Sequence, residues 1–301
     1  MATFRLYNIQ LLPLDTHKTP EVGRDGYRRL FQKFQEATTN SYRGKRMAKE
    51  AKPLIHDTFI CPFTVHPDEK MAHGSFLKFH NAATVTEFYS KERLFEAERG
   101  TTPVSNQRYF RFIFDYSEHR LAIEENNNRL PSPDVMMETL EYFLHPLANR
   151  NFPDHVLTVN LISDEHSLME ALDPDNEFGP VKVKLVFPNS RGLNHTLREL
   201  KDNNVHHIEA SVSPARGARI NRLPKYIYEL LEKAPDLGEA TVVFFKKTLK
   251  DKAAQAFKRM TYSTKSHPRR ITVRPKKDET EESFLRRVLG VMKGRAENER
   301  A

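Results

Sequence analysis

The sequence predicts an α+β protein: mixed sheets with interleaved helices, a β-rich N-terminal half and a basic C-terminal segment. Three observations predict it. Apolar residues alternate over short stretches bounded by Pro, Gly and Asn, the period of a half-buried strand. Between these stretches, apolar residues recur every three to four positions, the period of a helix with one buried face. The 301 residues are 38% hydrophobic and 29% charged, and no apolar run nears the roughly 20 residues a membrane span requires, so the composition is that of a soluble globular chain.

Taken in order, Thr3–Leu14 reads as a strand through Phe4, Leu6, Ile9 and Leu11. It has no basic n-region or small-residue cleavage site, which sets it apart from a signal peptide. Asp25–Ala37 is a helix with Tyr27, Leu30, Phe31 and Phe34 on one face, and Asn40–Lys52 is a polar, basic connector or short helix closed by Pro53. Strands follow at Asp57–Val65 and Gly74–Phe79. The next stretch has two readings, a strand over Thr84–Tyr89 or a charged helix over Glu87–Arg99. Tyr109–Phe114 and Leu121–Ile123 flank a polar turn and form a hairpin. Ser132 or Asp134 caps a helix running to about Asn149. Strand His155–Ile162, helix Glu165–Leu172 and strand Val181–Phe187 come next, the last ended by Pro188-Asn189. Helix Asn194–Asp202, strand Val205–Val212, loop Ser213–Arg222, helix Pro224–Lys233 and strand Glu239–Phe245 lead to a polar, basic stretch, Met260–Lys277, with one strand at Ile271–Arg274. The helix Thr280–Met292 ends the pattern, with Phe284, Val288 and Met292 along one face. A boundary is expected near Gly100–Ser105, dividing an N-terminal α+β region, 1–104, from a C-terminal α+β domain, 105–301, ending in a basic strand and helix.

The charge is unevenly spread. Thr241–Ala301 holds 17 Lys and Arg against 7 Asp and Glu, whereas the first 240 residues hold 31 against 33. A local excess of +10 attracts polyanions, nucleic acid above all. The plain alternative is a solvated, solubilising tail. Two clusters carry the stronger reading. In Ser213–Arg222, Gly217 lets the backbone turn while Arg216, Arg219 and Arg222, with Lys225 beyond, point to a phosphate cradle beside a helix start; the Gly-Lys-Ser/Thr ending of a Walker loop is absent. In Lys265–Lys277, the cations Lys265, Arg269, Arg270, Arg274, Lys276 and Lys277 surround a strand whose alternation sets Arg270 and Arg274 on one face, Ile271 and Val273 on the other. Arg43, Lys45, Arg46, Lys49 and Lys52 form a smaller patch.

Other chemistry is weaker. Arg150 and His155 have the Arg-polar-xxx-His spacing that resembles the HEPN-type ribonuclease motif, in which both residues act on the scissile phosphate. With 26 Arg and 13 His in the chain such a pair is expected once by chance, and Pro153 interrupts the helix that family uses. The histidines His56, His66, His73, His80, His206 and His207 lack metal-ligand spacing, so no metal and no cofactor is expected. The single cysteine, Cys61, lies in an apolar run; it excludes an internal disulfide and fits a reducing, cytoplasmic compartment.

Three stretches together, Arg5-Leu6-Tyr7-Asn8-Ile9, Phe112-Ile113-Phe114-Asp115 and Lys184–Asn189, resemble a bacterial family of unknown function, domain-of-unknown-function 4747, over most of the chain. The order hairpin–helix–strand–helix–strand is also similar to RexA-like phage-exclusion DNA-binding proteins. These resemblances imply a bacterial or phage origin and a defence context, and they carry no functional residue across. The expectation is a non-enzymatic, largely sequence-independent nucleic-acid-binding protein, for DNA or RNA, in an antiphage defence or mobile-element system. Two alternatives stand beside it: a metal-independent ribonuclease using Arg150 and His155, and a protein-interaction subunit of a two-gene system. A partner from the same operon or a second copy of the chain would then complete it; no membrane is expected.

Overall fold

The structure, a computed structural model, describes residues 1–81, 84–98, 101–127, 129–186, 200, 203, 205–248 and 256–294. It is α+β, built on an eight-stranded sheet, a four-stranded sheet and a two-stranded hairpin. In chain order the first elements are β1 (Ala2–Pro13), α1 (Gly23–Arg43), β2 (Lys52–Pro53), β3 (Thr58–Pro67), β4 (Met71–Asn81), β5 (Thr84–Thr86), β6 (Arg93–Glu96), β7 (Val104–Asp115) and β8 (Arg120–Glu124). Then come α2 (Pro133–Asn151), β9 (His155–Leu161), α3 (Glu165–Ala171), β10 (Glu177–Val186), β11 (His207–Val212), α4 (Lys225–Leu237), β12 (Gly238–Thr248), β13 (Ala256–Ser263), β14 (Arg270–Val273) and α5 (Glu281–Met292).

The large sheet runs β14-β1-β8-β7-β4-β3-β2, with every pair antiparallel. β1 is its spine. One edge pairs with β8 over Phe4–Asn8; the other is shared end to end by β14, over Ala2–Arg5, and β9, over Tyr7–Pro13. Strand alternation divides its side chains between two cores. Tyr7, Ile9 and Leu11 meet Tyr27, Leu30 and Phe31 of α1 and Met136, Leu140 and Leu144 of α2. Phe4 and Leu6 face the opposite way, onto Phe284, Leu285 and Val288 of α5. The sheet therefore carries helices on both faces, and it joins strands from either side of the Gly100–Ser105 stretch.

The four-stranded sheet runs β11-β10-β12-β13, again antiparallel. Its core is separate: Val181, Val183, Leu185, Val242 and Phe244 pack against Leu168 of α3 and Ile227, Leu230 and Leu231 of α4. Where α4 turns into β12, a Cβ on Gly238 would lie 2.0 Å from the Lys184 carbonyl oxygen, so the close approach of β12 to β10 requires glycine there.

Three local readings change. The 84–96 stretch is the short hairpin β5–β6, not a charged helix. α1 continues to Arg43, taking in the start of the basic connector. A second strand, β13, runs into the polar, basic stretch Met260–Lys277 from before it, concealed because Arg259 and Thr261 hold outward positions. The expected helix Asn194–Asp202 and the Pro188-Asn189 turn lie outside the described residues.

Candidate nucleic-acid interface

Alternation along the four-stranded sheet sends one set of side chains to the helices and the other outward. Lys182, Lys184, Thr241, Arg259 and Thr261 point away from the helices and are exposed. In register, Lys182 stands between Ser211 and Thr241, while Lys184 stands between Glu209 and Glu239. Toward one end, Glu177, Phe245 and Arg259 form a row across β10, β12 and β13.

Arg219 closes over that row. Its guanidinium lies 4.3 Å from the ring centre of Phe245 and 4.4 Å from that of Phe257, and Nη1 donates to Glu177 Oε2 at 2.7 Å. The loop reaches this place because Phe178 and Ile220 exchange backbone hydrogen bonds, each 2.8 Å, tying it to the start of β10. Gly217, at φ 79°, supplies the left-handed turn that a side chain would resist. Arg216 is exposed at the turn. Past Ile220 the chain crosses to the helix side, where Asn221, Arg222, Leu223, Lys225, Tyr228 and Glu229 line a pocket of about 700 Å³. Lys225 Nζ lies 3.8 Å from Glu229 Oε1, one helical turn on. Arg222 is exposed and, among the described residues, has no carboxylate at ion-pair distance.

The second cluster runs from Lys265, beside β12 of the small sheet, to Arg270 on β14 of the large one. Lys265 Nζ lies 3.2 Å from both Asp134 Oδ1 and Glu239 Oε1, linking α2 to β12. Arg269 reaches Glu165 at 3.7 Å. Arg270 Nε donates to Glu125 Oε2 at 2.9 Å, and the same carboxylate receives Arg5 Nε at 2.9 Å and Nη2 at 2.7 Å. Arg5 and Glu125 are buried, and Arg5 Nη1 also donates to the Pro131 carbonyl at 2.7 Å and the Tyr7 hydroxyl at 3.3 Å. Burial pushes the Tyr7 phenol up to about 12, against the pull of the Arg5 guanidinium. Arg274, Lys276 and Lys277 are exposed beyond the strand. Among the basic residues singled out in the sequence, Arg219, Lys225, Lys265, Arg269 and Arg270 thus each hold an internal carboxylate.

Arg150 is exposed in the last turn of α2, while the His155 ring at the start of β9 bonds through Nε2 to the Pro20 carbonyl at 3.0 Å. Cys61 is a buried thiol that desolvation pushes up to about 12. Among the described residues no group of three or more His, Cys, Asp or Glu is placed to hold a metal ion, and no helix is long and apolar enough to cross a membrane.

A family model described as a domain of unknown function, DUF4747, matches residues 5–292. The chain belongs to the DUF4747 family. The match spans both sheets, from Arg5 of the buried ion-pair cluster to Met292 at the end of α5. No curated protein and no solved structure matches this family member, so the similarity to phage-exclusion DNA-binding proteins gains no support from these comparisons.

Sequence reading missed Lys182, Lys184, Arg259, Phe245 and Phe257 as members of one surface. The signal was partly there. Phe257, Arg259 and Thr261 alternate with Lys258, Met260 and Tyr262, a half-buried strand written with charged outward positions.

Proposed function

We propose that the chain is a non-enzymatic nucleic-acid-binding protein whose contact surface is the outward face and loop end of the four-stranded sheet. The observation that carries this reading is the concentration there of exposed Lys182, Lys184, Arg216 and Arg259 beside two phenylalanine rings capped by Arg219. Lysines and arginines spaced along a sheet match the phosphates of an extended strand, while the Arg219–Phe245–Phe257 stack offers a planar, cationic surface for a base. Glu177, Glu209 and Glu239 share the face, so binding is moderate and backbone-directed. Arg274, Lys276 and Lys277, at the edge of the larger sheet, supply a second backbone contact.

The test is fluorescence anisotropy with labelled single-stranded RNA, single-stranded DNA and a duplex at two salt concentrations. Binding should weaken with salt, and Lys182→Glu, Lys184→Glu and Arg259→Glu together should lower affinity and flatten the salt dependence by about one contact per residue. Unchanged affinity in the triple variant, or no binding by the parent protein at low salt, removes the reading. The cytoplasmic, antiphage setting belongs to the same proposal. Its check is a plaque assay in which expression of the chain protects bacterial cells and the triple variant does not.

A further inference from the structure

We infer that the pocket at the start of α4 binds a nucleoside monophosphate group. Its volume, about 700 Å³, lies within the roughly 300–1,000 Å³ of small-molecule sites. The lining is divided as such a ligand requires. Leu172, Pro174, Phe178 and Leu223 give an apolar wall, and three of them, Leu172, Phe178 and Leu223, are otherwise sunk in the core of the small sheet. This wall suits the flat face of a ring. Asn221 sets an amide beside it, offering one acceptor and two donors to the edge of a base, and Tyr228 adds a half-buried phenol. Arg222 and Lys225 stand at the rim.

The charge at the rim favours an anion. Arg222 and Lys225 outweigh Glu229, whose Oε1 lies 3.8 Å from Lys225 Nζ. Among the described residues Arg222 has no carboxylate at ion-pair distance, and its guanidinium is the planar fork that suits phosphate oxygens. α4 begins beside the pocket at Lys225, with no side chain capping its start. An apolar wall for a ring, an amide for its edge and two cations for a phosphate make up one nucleotide, held on the helix side of the loop that presents Arg219 to the opposite face. The inference stands whether or not the outward face binds a strand.

One chemistry has two sources here: a free nucleotide, or the 5′-phosphorylated end of a strand. Isothermal titration of the full chain with AMP, adenosine, inorganic phosphate, and a short RNA with and without a 5′-phosphate separates them. AMP should bind at least tenfold more tightly than adenosine or phosphate, and Arg222→Ala and Lys225→Ala should each weaken it about tenfold. Both side chains are exposed, so these variants keep the fold, and the Lys182/Lys184/Arg259 triple variant should bind AMP as the parent does. Preference for the 5′-phosphorylated RNA over its unphosphorylated form, lost in the same two variants, assigns the strand end as the source. Binding of AMP alone assigns a free nucleotide. Absence of binding by AMP and by the phosphorylated end, or affinities unmoved by both substitutions, overturns the inference.

Discussion

Glu125 is a carboxylate almost without solvent that receives two guanidinium groups, from the first strand and from the last. Such clusters add little net stability when complete, because desolvation offsets attraction, but they are costly to break. Glu125→Gln keeps the shape and leaves Arg5 buried with its charge uncompensated. The expected loss is about 3–5 kcal/mol in urea unfolding, and a loss under about 1 kcal/mol would show that water enters the cluster. Arg270 is consequently a poor probe of nucleic-acid contact, since its substitution disturbs this cluster as well as the surface. Asp164 makes a smaller contribution. As the cap of α3 it accepts from Ser167 Oγ at 2.8 Å, from the Ser167 N–H at 3.2 Å and from the His166 N–H at 3.4 Å. Asp164→Ala should cost about 1 kcal/mol at neutral pH. The Ser167 hydroxyl bond holds the Asp164 carboxyl below its usual value despite partial burial, so the folded state favours the ionised form. Its contribution is present above the ordinary carboxylate value and fades as the pH falls through the lowered folded one. The gap between parent and variant in urea midpoints should accordingly begin to narrow at about pH 4 and close once the pH is below the lowered folded value. A gap that persisted there would assign the stabilisation to packing instead of charge.

At the scale of elements, α5 is held by a face and by one end. Phe284 packs on Phe4 with ring centres 6.1 Å apart and lies under Arg111, whose guanidinium is 4.8 Å from its centre. At the end, Lys293 Nζ reaches Asp115 Oδ2 at 2.8 Å and Ser117 Oγ at 3.1 Å, in the turn between β7 and β8. Asp115 is fully buried, so Lys293→Met strands its charge, and about 3 kcal/mol should be lost. Amide hydrogen exchange should quicken in 284–292 ahead of the rest of the chain; uniform quickening would mean that α5 has no separate opening. Much at this scale was legible in the sequence. Phe4, Leu6, Ile9 and Leu11 announced β1, Tyr27 to Phe34 announced α1, and Phe284, Val288 and Met292 announced α5, because each pattern repeats at the period of its own backbone. β13 was not announced, since Arg259 and Thr261 face water and its second half fell within the polar, basic stretch Met260–Lys277.

For the whole molecule, the legible part of the candidate site was its charge and the illegible part was its pairing. Composition located the arginines of Ser213–Arg222 but could not show that Arg219 answers Glu177, or that Arg270 answers Glu125, 145 positions away. Nor could it put Arg219 against the small sheet and Arg270 on the large one, because strand order depends on contacts between distant segments. The net excess of +10 over Thr241–Ala301 is therefore partly neutralised inside the fold, and salt dependence measured on strands should report fewer contacts than the count of basic residues. Four or fewer released ions is the expectation for the outward face, about one for each of Lys182, Lys184, Arg216 and Arg259.

The pairing of β1 with β14 also bears on how the chain is made. Ala2 lies opposite Val273, so β1 waits for about 270 further residues to be made before its edge is closed. At about 5–20 residues per second that wait is roughly 15–55 s, during which the Ala2–Arg5 edge has open hydrogen-bonding groups. Such long-range closure is slow to form. It makes the nascent chain, more than the finished protein, the form in which a chaperone or a stray strand would find a place to bind.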